Sequence, residues 1–561
     1  MNQKVLASSF GLTAAVCLST FAGCSDDRTS AGTFGSTNSG SNSSGGAEGG
    51  SGVGGMTGSG GVGGMDTSSN SSGMGGAGGG APCTMTSASD PIDENFTDAN
   101  CDGSDGMVDE CIYVSVSDGS DGNTGSRTAP MQTIAAAIQA AKTGGIPAVC
   151  LSAEVYNGPI TLESGINVYG GFDHQDPNFK FRRKSSTKTT IIAQGIGVEA
   201  PQINAETHLE GLTIQVSAPI GAGASTYGVL LGGGTGDLFV RFNDITVAAG
   251  KDGAAGSNGA TITPTAATSG NAGGAGCSNC TASPVGGAAP TCAEAGGKGG
   301  NGGNNANAGQ PGSNGNGGAL GGAGGIANSC FGTLDPAETG KPGADGASGV
   351  AGTPGVGGTI LGPIVSGKYT PANGTDGTVG TVGKGGGGGG GGGGGSGSLP
   401  CQADGGGGGG SGGCGGLPGN LGRGGGGGGG SFAVFAAGGK VIVELNKNLQ
   451  TGKGGNGGKG GNSSDGQTGG SGGTGGVRAD DSAPGGPGGA GGKGGAGGPG
   501  GGGGGGPATC VGYSAAAQVV FAMNTCIHGA GGTGGQRGTG PANANGGIGS
   551  DGSSGPTLKI D

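Results

Sequence analysis

The chain has 561 residues and 161 of them are Gly, against roughly 7% Gly in an average protein. Apolar residues make up 31% and aromatics 3%, with no Trp, which excludes several well-filled cores despite the length. A net charge of −12 argues against nucleic-acid binding, which needs a basic surface, and suits a soluble exported surface with cation sites.

Lys4 opens a short charged region. Val5 to Gly23 is apolar and small, too short to span a bilayer comfortably, and reads as a signal peptide over residues 1–23. Its end, Phe21-Ala22-Gly23-Cys24, resembles a bacterial lipobox, with Phe21 in place of the usual Leu. The resemblance implies cleavage before Cys24 and acylation of its thiol and amine. Ser25, rather than Asp, then implies sorting to the outer membrane, at the cell surface or outside the cell. The alternative is plain secretion with Cys24 as an ordinary thiol. Residues 24–90 read as a Gly/Ser tether that cannot order itself. Its 25–81 stretch would average about 40 Å end to end.

Residues 91–111 form an acidic segment. Asp98, Asn100, Asp102 and Asp109 fall at positions 1, 3, 5 and 12 of a calcium-loop spacing, with Ser104 at position 7. Gly103 sits at position 6, where the sharp turn needs it. The spacing resembles EF-hand and dockerin loops. Position 8, usually apolar, is Asp105, and no helix pattern flanks the loop. The expectation is a calcium ion on Asp98, Asn100, Asp102, Ser104 and Asp109. The alternative is an acidic turn stapled by Cys101 and Cys111.

Residues 112–250 hold the long apolar stretch. Ile112 to Val116 alternates as a strand, and Ser117 to Gly125 is a dense turn cluster. Pro130 predicts the opening of a helix. Ile134, Ile138 and Ala141 form its apolar stripe, and Gly144-Gly145 ends it. Such a helix would cap the open end of a sheet stack. Strands are predicted over 148–151, 160–162, 166–169, 190–193, 209–214, 229–231, 238–242 and 245–247. Short strands with tight turns suit a parallel coil or an antiparallel sandwich.

Tyr113-Val-Ser, the 118–125 turn, and Pro130-Met-Gln-Thr-Ile134 with Ala137-Ile138 resemble the N-terminal signature of pectin-lyase-like right-handed parallel β-helix proteins. Val168-Tyr-Gly-Gly-Phe172 resembles the rung that follows in surface lipoproteins of this type. The resemblance covers about a quarter of the chain. It implies an all-β right-handed parallel β-helix with an N-terminal capping α-helix. An internal repeat extends that coil. Tyr227 to Val247, Ser431 to Leu449 and Val511 to Ile527 each read as strand, gap, strand, then Asn: Asn243, Asn446 and Asn524. Asn tolerates a left-handed turn and can stack its amide on its neighbours. The expected order is therefore coil over 112–250, 431–452 and 510–528. Glycine-rich insertions fill 251–430 and 453–509, and a glycine-rich tail fills 529–561.

In the insertions, 452–462 and 485–499 keep a non-Gly residue at every third position, and pure runs such as 385–395 interrupt the pattern. Period three matches an extended left-handed helix, which predicts either a polyglycine II bundle or a flexible loop. Gly340 to Gly355 has collagen spacing, but the bundle is preferred because collagen needs three chains. The glycine density resembles PGRS repeats as low complexity alone. Fourteen Cys in an exported chain predict disulfides, with the pairing open, and Cys277-Ser-Asn-Cys280 lacks the second half of a zinc site. No catalytic residues are expected. The functional expectation is a lipid-anchored, non-enzymatic surface or adhesion protein whose partners are the membrane, through its lipid, and glycans or other surface proteins. The alternative is a polysaccharide lyase or glycoside hydrolase acting on acidic glycans, with Asp237, Arg241 and Asp244 as the best-placed charges.

Overall fold

Runs of Val, Ile, Leu and Thr cut by Gly and Asn turns build three sheets of essentially parallel strands. The structure is a computed structural model and describes residues 83–328, 336–396 and 403–561. The signal peptide, Cys24 and most of the expected tether lie outside the described residues.

The chain visits the sheets in rotation. Thr207–Glu210 joins the first sheet, Leu212–Ser217 the second and Thr226–Leu231 the third. Asp237–Arg241 returns to the first and Asp244–Val247 to the second. The next circuit is Ser431–Ala436, Gly439–Glu444 and Asn448–Thr451, and the one after is Ala508–Ser514, Ala517–Ala522 and Cys526–Ile527. This all-β parallel arrangement is compatible with a β-helix or solenoid.

Register across the long gaps is unbroken. Val229 pairs with Val434 and Val434 with Val511, while Leu238 pairs with Val441 and Val441 with Val519. Side chains of one type therefore stack on themselves, and Val229, Val434, Val511, Leu238 and Val441 are fully buried. Burying such a side chain contributes about 1.5–3 kcal/mol.

Two details differ from the sequence expectation. The strand predicted over 209–214 is two strands in different sheets, split at Gly211, whose φ of 75° turns the chain. The left-handed residue in the equivalent turns is not Asn. It is the residue before it: Phe242, Leu445 and Met523, with φ of 55°, 56° and 52°. The Asn that follows sends its side chain inward to bond backbone, so its own φ is left free of that duty. Met523 is 72% exposed and packs little. A left-handed non-Gly residue costs roughly 1–2 kcal/mol, and glycine's entropy takes back part of it. Met523→Gly should therefore stabilise by about 0.5–1 kcal/mol, measured by denaturant melts.

The helix runs over Ile134–Gly144, four residues later than Pro130 predicts. Thr133 is its N-cap, accepting from Ala136 N–H at 3.3 Å, and Asp121 in turn accepts from Thr133 N–H at 2.8 Å. Ile134, Ala137, Ile138 and Ala141 are buried, and Gly145 closes the helix at φ 66°. The helix packs on Cys111–Val114 and Ala148–Ser152, at one end of the first sheet. The glycine-rich end of the chain hides one more strand. Ser554–Ile560 pairs in parallel with Ala508–Ser514, and Ile560 is buried against Phe432 and Phe435.

The glycine-rich segments are knit by backbone hydrogen bonds three residues apart. Gly386, Gly389 and Gly392 N–H donate to Gly413, Gly410 and Gly407 C=O at 2.8–3.0 Å, an antiparallel pair. Gly410, Gly413 and Gly416 N–H donate to Gly486, Gly489 and Gly492 C=O at 2.9–3.0 Å, a parallel pair. The pure runs 385–395 and 405–410 are buried, whereas Lys453, Lys459, Pro487 and Lys493 at third positions of the patterned runs are exposed. The 251–430 segment also packs back on the third sheet. Tyr369 N–H donates to Tyr227 Oη at 3.0 Å, and its ring meets Phe432 edge-on.

The described disulfides are Cys83–Cys101, Cys111–Cys150, Cys277–Cys280, Cys292–Cys414 and Cys510–Cys526. Cys101 and Cys111 thus pair with different partners outside the acidic loop.

Candidate functional site

The acidic loop lies against the first sheet. Asp98 takes the role that position 1 demands, with Oδ1 accepting from Asp102 N–H and Oδ2 from Gly103 N–H, both at 3.0 Å. Asn100 Oδ1 accepts from Asp102 N–H at 3.1 Å, and its Nδ2 donates to Asp102 Oδ2 at 2.9 Å. Asp102 also receives Val108 N–H at 3.0 Å. The loop is thus wound around its own carboxylates.

The predicted ligands divide. Asp98 and Asp102 come together with Asp90, and one oxygen of each lies within 4.8 Å of the others. Ser104 Oγ is buried and turned to the body, accepting from Arg183 N–H at 2.9 Å and donating to Asp105 C=O at 3.3 Å. Asp109 is exposed in the turn Val108–Glu110 and is not one of the three grouped carboxylates. Asp90 takes a place that sequence spacing did not assign. It is 1% exposed, accepts from Gly106 N–H at 3.1 Å, and reaches the loop because Cys83–Cys101 ties its segment there. Burial raises the Asp90 carboxyl above its ordinary pKa, and Asp98 and Asp102 add to the rise while backbone N–H groups oppose it.

Asp105, the departure at position 8, has a structural reason. Its buried carboxylate pairs with the buried Arg183 guanidinium, which also donates to Asp93 C=O at 2.7 Å and lies over the Phe96 ring at 4.6 Å. Burial lifts the Asp105 pKa, and Arg183 pulls against that. An apolar residue at this position would leave the guanidinium unpaired, so the acid is required here.

A second polar face lies on the outside of the first sheet. Asp237 and Arg241 share one face of their strand, as expected, and each is neutralised by the next strand: Lys440 at 2.5 Å and Glu444 at 2.6 Å. Asp244 is in the second sheet and accepts from Asn448 Nδ2 at 2.9 Å. The sequence-selected trio is therefore spread over two sheets. Beside it lies a group that sequence reading missed. His208 is held between Glu210 at 2.7 Å and Glu206 at 3.0 Å, and stacks on Phe239 at 4.6 Å. Burial works against the charged imidazole, but the two glutamates outweigh it and raise the His208 pKa. Glu206-x-His208-x-Glu210 at period two on a strand was the available signal, since it places all three on one face.

Ser117, His174 and Asp118 also meet. Ser117 Oγ is 3.3 Å and Asp118 Oδ2 is 4.0 Å from the same ring nitrogen, Nε2, while Nδ1 is buried without a hydrogen-bond partner among the described residues. A relay needs the acid and the nucleophile on opposite nitrogens. Glu154 nearby is instead a backbone anchor. Burial lifts its pKa, but Ser152, Ser117, Ser115 and Val116 N–H hydrogen bonds outweigh that and bring it down to about 2.

No protein family, curated protein or solved structure matches the chain. Among the described residues no helix is long and apolar enough to cross a membrane.

Proposed function

We propose that this protein is a lipid-anchored, non-enzymatic surface scaffold. In this reading the three sheets are the walls of a right-handed parallel β-helix of the pectin-lyase-like kind. Segments 251–430 and 453–509 are polyglycine II insertions, and Cys24 carries the lipid. The insertions present the surface that meets glycans or other surface proteins. The observation that carries it is the pairing at the neck of the longer insertion. Gly429 N–H donates to Lys251 C=O at 2.8 Å, and Thr226 N–H donates to Gly430 C=O at 2.9 Å. The segment thus leaves and returns at one point of the stack.

The test is excision. A chain in which a short turn joins Asp252 to Gly428 should keep its β-type circular dichroism and lose attachment of cells displaying it to glycan-coated surfaces. Loss of the β signal, or undiminished attachment, would overturn the reading. Cys24→Ala should move the protein from the membrane fraction to the soluble one.

Calcium belongs to the same reading. Three carboxylate oxygens, one of them on a buried residue, sit together, and burial, with the neighbouring carboxylates adding to it, raises the Asp90 pKa, an arrangement that a hard divalent cation relieves. Asp90, Asp98 and Asp102 would hold it. Added calcium should raise the melting temperature, and Asp102→Ala should remove that rise.

A further inference from the structure

Cys277–Cys280 closes a disulfide over a separation of three residues. Its turn is held without that bond. Cys277 N–H donates to Gly405 C=O at 3.2 Å, and Gly405 N–H donates back to Cys277 C=O at 2.8 Å. Asn279, left-handed at φ 52°, donates its N–H to Asp404 Oδ1 at 3.1 Å. Gly405 leaves room for the sulfurs. A Cβ there would stand 2.9 Å from Cys280 Sγ and 3.1 Å from Cys277 Sγ. Opening the bond would therefore leave the backbone pairing of the turn in place while the sulfurs separate. Cys280 Sγ already lies 3.2 Å from Cys277 C=O, an acceptor ready for a thiol S–H.

The other described disulfides differ in access or in span. Cys111–Cys150, Cys292–Cys414 and Cys510–Cys526 each have one fully or almost fully buried partner, namely Cys150, Cys414 and Cys510. Cys83–Cys101 is accessible but spans 18 residues. Both cysteines of Cys277–Cys280 are half-exposed, and its loop constrains the unfolded chain least, so opening it sacrifices the least fold stability.

We infer that Cys277–Cys280 is a thiol–disulfide exchange site that accepts two electrons from polypeptide dithiols. A substrate thiolate attacks one sulfur, forming a mixed disulfide and releasing the other as a thiolate, which takes up a proton. The second substrate thiol, giving up its proton, attacks the substrate sulfur of the mixed disulfide. The products are an oxidised substrate disulfide and the Cys277, Cys280 dithiol; two electrons and two protons have moved to this chain. The reverse reaction reduces a substrate disulfide. Asp404, whose Oδ1 accepts from Asn279 N–H beside the sulfurs, is 1% exposed. Burial and the contact with Asp404 raise the Asp481 pKa.

The test uses the full chain in a glutathione redox series, with alkylation and mass mapping of each cysteine. Cys277 and Cys280 should become labelled at least about tenfold faster than Cys292 and Cys414, which lie in the same glycine-rich region. A reduced two-cysteine peptide should be oxidised one for one by the wild-type chain. Either Cys277→Ser or Cys280→Ser, mixed with the oxidised peptide, should trap it as a mixed disulfide. Labelling of Cys277 and Cys280 no faster than of Cys292 and Cys414 would overturn the inference. So would failure of the wild-type chain to oxidise the peptide, a result that does not depend on the variants folding.

Discussion

Gly389→Ala should unfold the glycine-rich body while leaving the three sheets largely intact. A Cβ at Gly389 would stand 2.1 Å from Gly486 C=O and 2.5 Å from Pro487 C=O, both backbone atoms that no rotamer change can move. The neighbours must separate, and the bonds from Gly389 N–H to Gly410 C=O at 2.8 Å and from Gly486 N–H to Gly390 C=O at 2.8 Å go with them. Overpacking of this kind plus stranded backbone groups costs about 3 kcal/mol or more. The effect should have a pattern. Gly388, Gly389 and Gly390 face Lys298, Gly486 and Ala323 carbonyls, three different neighbours, so no position in the pure run tolerates a side chain. In the outer run the tolerated positions recur every third residue: Pro487, Ala490, Lys493 and Ala496. Alanine scanning with amide exchange as the readout checks both. Unchanged protection of 405–416 in Gly389→Ala would show that the glycine-rich segments pack more loosely than these contacts require.

This contrast explains why composition alone left the glycine segments undecided between bundle and loop. An outer run carries period three because one side in three is free. A central run is surrounded and must be glycine throughout, and it then looks like low complexity. The pure runs that seem to interrupt the pattern are the centre on which the patterned runs pack.

Elsewhere, what was legible followed from residues whose own chemistry signals a position. The aligned hydrophobic patches could be read because each ends in Asn, and because apolar alternation resumes after each glycine-rich stretch. The split at Gly211 was hidden because Leu209, Leu212 and Ile214 are all buried, so one apolar run spans two sheets. The strand Ser554–Ile560 was hidden because much of it is exposed and its sequence lacks an apolar run. Asp90 was not legible at all. Its place in the carboxylate group depends on Cys83 choosing Cys101, and pairing among many cysteines cannot be deduced from spacing. The contact of Ser104 Oγ with Arg183 N–H was equally hidden, because Arg183 is distant in sequence.

Asn446→Ala should destabilise the sheet stack more than the same truncation at Asn524, at the end of the Asn row. Asn446 Oδ1 accepts from Asn243 N–H at 3.0 Å, and its Nδ2 donates to Val240 C=O and Asn524 Oδ1, both at 2.8 Å. It is 2% exposed, so water cannot replace these partners. Alanine leaves a buried donor and a buried acceptor stranded, at about 1–3 kcal/mol each, for a total of roughly 2–6 kcal/mol. Asn446→Asp should fare no better, because it keeps the acceptor, loses the donor and buries a charge. Asn524 makes the same bond one circuit later, from Nδ2 to Val443 C=O at 2.8 Å, but it is half-exposed. Its alanine variant should cost about 1–2 kcal/mol, since solvent reaches the stranded groups. Denaturant melts of the two variants order the effects. Equal losses at Asn446 and Asn524 would mean that the amides are ornaments on a stack held by Val, Leu and Ile alone. A steep gradient from interior to end would mean that the Asn row sets the spacing of the circuits, because each amide ties its turn to the backbone of the circuit before it.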